Sequence, residues 1–130
     1  MKVDALDHLV LTVLDIDITI AFYRDVLGMR AEVFQPPDGP RRRALKFGTQ
    51  KINLHQKGAE FEPKAGTPTP GSADLCFLSQ TPLKDWQLHF AALGVPVEQG
   101  PVMRTGATGA IISLYLRDPD GNLIELSNCV

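Results

Sequence analysis

The stretch Arg117-Asp118-Pro119-Asp120-Gly121-Asn122-Leu123-Ile124-Glu125-Leu126-Ser127 holds a turn followed at once by a strand. In Asp118-Pro119-Asp120-Gly121 the proline pre-sets one central φ, the glycine accepts a positive φ, and the aspartates bond nearby amides. Beyond the turn the pattern alternates. Leu123, Glu125 and Ser127 share one side of a strand, and Asn122, Ile124 and Leu126 share the other. Glu125 therefore stands mid-strand among apolar neighbours, where an unpaired carboxylate is costly to bury. It needs a partner. Far upstream the candidates are His8 and His55, with Arg104 or Arg117 as the ion-pair alternative.

Working outward from this turn, one order of elements occurs twice. Residues 5–13 alternate as a strand, with His8, Val10 and Thr12 on one face. Asp15 suits the N-cap of a helix over 16–27. Ile16, Ile20, Tyr23 and Leu27 form its apolar stripe, and Gly28 sits where a C′ glycine belongs. Short strands follow near 30–35, 42–48 and 51–56. Residues 58–71, with Pro63, Pro68, Pro70, Gly66 and Gly71, read as a linker or lid. A strand at 72–78 then restarts the order. Thr81-Pro82 supplies an N-cap and a proline at the first helical position, and this helix runs to Leu93 and stops at Gly94. Strands near 96–99, 110–117 and 122–127 complete it.

Leu27-Gly28 recurs 66 residues later as Leu93-Gly94, and the same offset carries Asp15 onto Thr81 and His8 onto Asp74. A shared offset at helix start and helix stop indicates a duplicated βαβββ unit. The expectation is an α+β fold of two tandem βαβββ modules within a single domain, module one about 4–57, linker 58–71 and module two about 72–128. The apolar faces pack beneath the helices. The opposite faces carry His8, Asn53, His55, Asp74 and Glu125, flanked by Val10, Leu45, Phe47 and Leu123, which describes a cavity lining.

A chain of 130 residues is the size of one domain and buries about two-thirds of its unfolded surface. A formal net charge of -2 and a pI near 5.9 give no electrostatic reason to expect nucleic acid or an anionic membrane as partner. Arg41-Arg42-Arg43 follows a Pro/Gly loop and reads as a solvated loop end, with anionic-substrate capture as the alternative. Cys76 and Cys129 form no ligand motif and no disulfide framework. No apolar run approaches the ~18 residues that a span needs, and the chain opens directly on a strand, so the expected setting is the cytoplasm.

The segments "DHLVLTVLDIDITIAFYRDVLGM", "FGTQKINLHQKGAEFEPKA" and "RDPDGNLIELSN", with "PGSADLCF" and "RTGATG", carry a likeness that covers nearly the whole chain. They resemble the vicinal oxygen chelate superfamily of glyoxalases, bleomycin-resistance proteins and dioxygenases. The likeness is to its glyoxalase domain-containing branch with bacterial virulence-associated members. It implies a cupped mixed sheet around a metal cavity, one divalent ion (Zn, Ni, Mn or Fe), a small-molecule substrate and a homodimer.

In many members the first strand supplies a His, matched here by His8, and the last strand a Glu, matched by Glu125. Two further ligands come from the end of module one, where Asn53 or His55 stands, and the start of module two, where Asp74 stands. Glyoxalase I has a Glu and a His at these two places, so the chain departs from it at both.

The resemblance thus gives His8, His55 and Glu125 as the metal set, a facial triad that leaves positions open for substrate. Glu125 doubles as the catalytic carboxylate. Asn53, Asp74, Arg104 and Tyr115 are the substrate-binding candidates, and the Arg104–Gly109 loop offers amides and a guanidinium to an anion. The expected function is a metal-dependent glyoxalase-type lyase or isomerase acting on a small molecule chelated through adjacent oxygens. The alternatives are an extradiol-type Fe(II) dioxygenase and a non-catalytic, bleomycin-resistance-like binding protein. Blander readings stand beside these: His8 as a core histidine, His55 as a strand-end residue, His89 as a surface residue of the second helix, and Cys76 as a small buried hydrophobe.

Overall fold

Both copies of the strand–helix–strand–strand–strand order are present in the computed structural model, which describes residues 1–130. The chain divides into two compact units, Met1–Pro70 and Gly71–Val130. The segment after the first four strands folds with the first unit.

The first unit runs β1 (His8–Val13), α1 (Ile16–Asp25), β2 (Arg30–Phe34), β3 (Arg42–Phe47) and β4 (Gln50–Gln56). Its sheet has the order β1-β4-β3-β2, with β1 parallel to β4 and the other pairs antiparallel. Asp15 caps α1 as expected, its Oδ1 accepting from Ile18 N at 3.0 Å. Gly28 takes φ 71, and Met29 N donates to Tyr23 O at 3.0 Å, closing the helix end. Ile20 and Tyr23 are buried, and burial of Ile20 alone stabilises by about 2 kcal/mol. An Arg43–Asp17 ion pair at 3.3 Å places α1 over the face that carries Arg43, Leu45, Ile52 and Leu54. Leu45 and Phe47 therefore lie on the helix side, not on the polar face where the alternation had put them: Leu45 stands opposite Ile52, and Phe47 opposite Gln50.

The second unit runs β5 (Asp74–Leu78), α2 (Leu83–Ala92), β6 (Gln99–Thr105), β7 (Ala110–Arg117) and β8 (Leu123–Cys129), with the sheet order β5-β8-β7-β6. The start of α2 departs from expectation. Pro82 is the N-cap residue and makes no side-chain cap bond. The Leu83 amide is instead taken by Asn128 Oδ1 at 3.0 Å, from β8. Asn128 Nδ2 also donates to Ser79 O and Thr81 O, so one side chain holds the strand-to-helix corner.

Strand β6 begins where the sequence had ended it, and prolines at 96 and 101 explain why the alternation was hidden. Its register shifts between Gln99 and Val102, where Gly100 (φ 111) passes so close to β7 that a Cβ would meet Ser113 O at 2.3 Å.

The turn before β8 forms as read. Asp118 Oδ1 accepts from Asp120 N and Asn122 N, both at 2.9 Å, and Gly121 takes φ 87. Buried Asn122 extends this network, its Nδ2 donating to Asp118 Oδ2 at 2.7 Å and its Oδ1 accepting from Ala73 N at 2.8 Å.

Register aligns the two units residue by residue. Val10 faces Asn53 across β1–β4, and Cys76 faces Glu125 across β5–β8. Hence His8 corresponds to Asp74 and Asn53 to Glu125, while Thr12–His55 corresponds to Leu78–Ser127. No helix is long and apolar enough to cross a membrane.

Candidate functional site

Glu125 lies on the face of the second sheet away from α2, opposite Cys76 on β5 and Tyr115 on β7. Tyr115 Oη donates to Glu125 Oε1, and Arg104 Nε donates to Tyr115 Oη at 2.9 Å. The carboxylate is thus reached by a phenol and, at one remove, by a guanidinium. Arg117, the other expected ion-pair partner, is held by Glu98 at 3.1 Å. The bond to Glu125 raises the Tyr115 pKa, so the phenol keeps its proton at neutral pH. A cavity of about 360 Å³ opens beside these groups, lined by Cys76, Leu78, Ile111, Glu125 and the 105–108 turn.

Cys76 is exposed as a residue rather than a buried hydrophobe, while its thiol is partly shielded from solvent. Its sulfur sits against Ser127 Oγ at 3.5 Å. Burial of the thiol, followed by the nearby Glu125 carboxylate, pushes its pKa up to about 11. Asp74, two residues before Cys76 on the same face, is exposed. His89 is exposed on α2 beside Trp86, as expected of a surface residue.

In the first unit, His8 is exposed at the start of β1, with Nδ1 2.8 Å from Asp7 Oδ2. That contact occupies Nδ1 and leaves Nε2 facing other partners, as in an imidazole that binds a metal. His55 is buried farther along the same face. It stands opposite Thr12, four positions beyond the His8–Lys51 pair, so the two histidines are about 13 Å apart along the ladder. Imidazoles that bind zinc at about 2 Å and stand upright from the sheet do not span that gap. The pairing of His8 with His55 on one ion, expected from the sequence, is therefore not made.

His55 instead joins Arg42 and Phe61. Arg42 Cζ lies 4.3 Å from the Phe61 ring centroid, and the His55 ring meets the same ring edge-on at 5.5 Å. Burial first, then the Arg42 charge, lowers the His55 pKa, so its neutral form is favoured. Arg42 is thus no solvated loop end. The alternation of β3 was the signal that could have found it, since Arg42 shares a face with Ala44 and Asn53.

Glu125 and Asp74 belong to the second unit, His8 and His55 to the first, and no three His, Cys, Asp or Glu side chains of the chain gather as a metal-holding group. The donor types nevertheless suit a divalent ion: an oriented imidazole at His8, and carboxylates at Asp74 and Glu125.

A profile of the Glyoxalase/Bleomycin resistance protein/Dioxygenase superfamily matches residues 5–126. The chain belongs to this superfamily. Like this glyoxalase-superfamily chain, virulence protein STM3117 of Salmonella typhimurium spans the full fold. It is 58% identical over 130 residues, covering 100% of this chain and 88% of that protein. The crystal structure of STM3117 matches with a TM-score of 0.94 over 100% of both chains. Glyoxalase domain-containing protein RDO1 of Mycosarcoma maydis is 56% identical over 128 residues, 98% of this chain and 70% of that protein. A lactoylglutathione lyase structure from Agrobacterium tumefaciens is 28% identical, with a TM-score of 0.72 over 98% of this chain and 95% of that one.

Proposed function

We propose that this superfamily member is a metal-dependent lyase or isomerase of the glyoxalase type, acting on a small molecule with two adjacent oxygens. The observation that carries the reading is Glu125, a carboxylate in the wall of a 360 Å³ cavity with a protonated phenol bound to one of its oxygens. Similarity to a lactoylglutathione lyase supports the reaction class.

His8, Asp74 and Glu125 are the residues that would hold the ion, with zinc, nickel, manganese and iron as candidates. The bound ion would supply Lewis-acid polarisation of the substrate oxygens. Glu125 serves as the proton carrier. Its Oε1 is fixed by Tyr115, which orients the carboxylate to take a proton from a substrate carbon and return it one position away. Arg104 holds the Tyr115 hydroxyl in place for that exchange. The reading includes a homodimer, the assembly that the likeness to this superfamily implies. Both cysteines are free, in keeping with a reducing, cytoplasmic setting.

Metal analysis of the untagged protein, beside His8→Ala, Glu125→Gln and His55→Ala, tests this. About one transition metal per chain, lost in the first two variants and kept in the third, is the expected result. A protein that stays metal-free after reconstitution overturns it and leaves a binding protein.

A further inference from the structure

Asn53 and His55 are 6% and 3% exposed, and with Arg42 they hold three buried polar atoms that have no hydrogen-bond partner: Asn53 Oδ1, His55 Nε2 and Arg42 Nε. Orphaned atoms of this kind are few in a native structure, and three on one sheet face call for a common cause. Asn53 and His55 alternate along β4. Arg43 faces Leu54 across the β3–β4 ladder, so one more step of that register sets Arg42 opposite His55. All three side chains rise from the face away from α1, and the Phe61 ring lies against two of them.

We infer that Arg42, Asn53 and His55 form a binding site for the carboxylate of a small organic acid, closed over by Phe61. Arg42 Nε–H is a fixed cationic donor, which fits an anion and not a metal ion. His55 Nε2 supplies a second donor when its proton sits there, and the Asn53 amide, turned about its last bond, supplies a third. Two carboxylate oxygens accept all three. Phe61 is carried on the segment that follows β4, between Gly58 and Pro63, so the cover over Arg42 and His55 lies outside the sheet.

The second unit supplies the internal control. Ser113 and Ser127 occupy the positions that Arg42 and His55 occupy in the first, and their hydroxyls bond each other at 2.7 Å, fully buried. A closed, self-satisfied pair is therefore available to this scaffold, and the first unit does not use it. The site needs neither the metal nor His8, Asp74 or Glu125, and so goes beyond the function proposed above.

The test is side-chain NMR and calorimetry on the full chain with metal removed by chelator, titrated with benzoate and separately with inorganic phosphate. Saturable benzoate binding that shifts the Arg42 Nε–H and His55 imidazole signals is expected. It should fall at least about tenfold in Arg42→Ser/His55→Ser, which installs the pair of the second unit, and in the milder His55→Gln, yet persist in His8→Ala. Phosphate binding tighter than benzoate overturns the carboxylate assignment. Absence of saturable binding, or binding undiminished in folded Arg42→Ser/His55→Ser, overturns the site and leaves the three atoms to buried water.

Discussion

Arg42 and His55 in the first unit stand where Ser113 and Ser127 stand in the second, on the same two strands at the same register. One pair satisfies itself at 2.7 Å, while the other leaves its donors orphaned. Beside them Asn53 holds the place of Glu125, and His8 that of Asp74. The first unit thus presents Arg42, Lys51 and two histidines on its helix-free face, and the second presents Asp74, Glu125 and Cys76 beside Tyr115, Arg104 and Arg117. One backbone carries both sets because helix packing is decided on the opposite face, by Ile52 and Leu54 or by Ile124 and Leu126. Stability is built on one side of each sheet, and chemistry is free to diverge on the other.

The widest gap between the units is expected at the entry to the last strand of each. Asn122→Leu strands the Ala73 amide and the Asp118 carboxylate in buried surroundings, and should cost about 2–4 kcal/mol in urea unfolding. Gln50 occupies the equivalent place in the first unit, where its Nε2 donates to Leu6 O at 2.9 Å in an exposed setting. Gln50→Leu should therefore stay within about 0.5 kcal/mol. Equal losses would break the comparison, since they would mean that the two turns carry the same load.

A smaller contrast concerns the two pairs. Ser127→Ala removes the partner of a fully buried Ser113 hydroxyl and should cost about 1–2 kcal/mol. His55→Leu removes an orphaned buried nitrogen and keeps the volume, so stability should hold or rise. A large loss in His55→Leu would show that the imidazole is satisfied in solution and serves the core.

Much of this was legible in the sequence. Asp15, Gly28, Gly94 and Asp118-Pro119-Asp120-Gly121 act locally, so their roles were read from residue type and spacing. The duplication followed from the same signals. What was missed depends on partners distant along the chain. Asn128 replaces Thr81 at the head of α2 from 45 residues away, and Phe61 covers Arg42 and His55 from a segment without periodicity. The pairing of His8 with His55 failed for a reason that alternation cannot show: it gives the face of a residue but not its height along the ladder. That height is set by the β1–β4 register, which only the structure fixes.

The smallest expected effect lies in the second unit alone and concerns Cys76. Its pKa is raised from 9.0 to about 11, by burial of the thiol and then by Glu125. A raised folded-state value means that this contribution to stability is complete below pH 9 and is lost as the pH climbs through about 11. Tyr115, also raised and for the same carboxylate, reinforces the trend at the alkaline end. In chelator-treated protein, alkylation of Cys76, followed by peptide mapping with Cys129 as the companion thiol, should therefore stay slow to pH 9 and rise beyond it. Glu125→Gln removes the charge but not the burial, so it should move the rise to lower pH and speed the reaction at pH 9 by up to about tenfold. A profile indifferent to Glu125 would place the carboxylate out of reach of the sulfur.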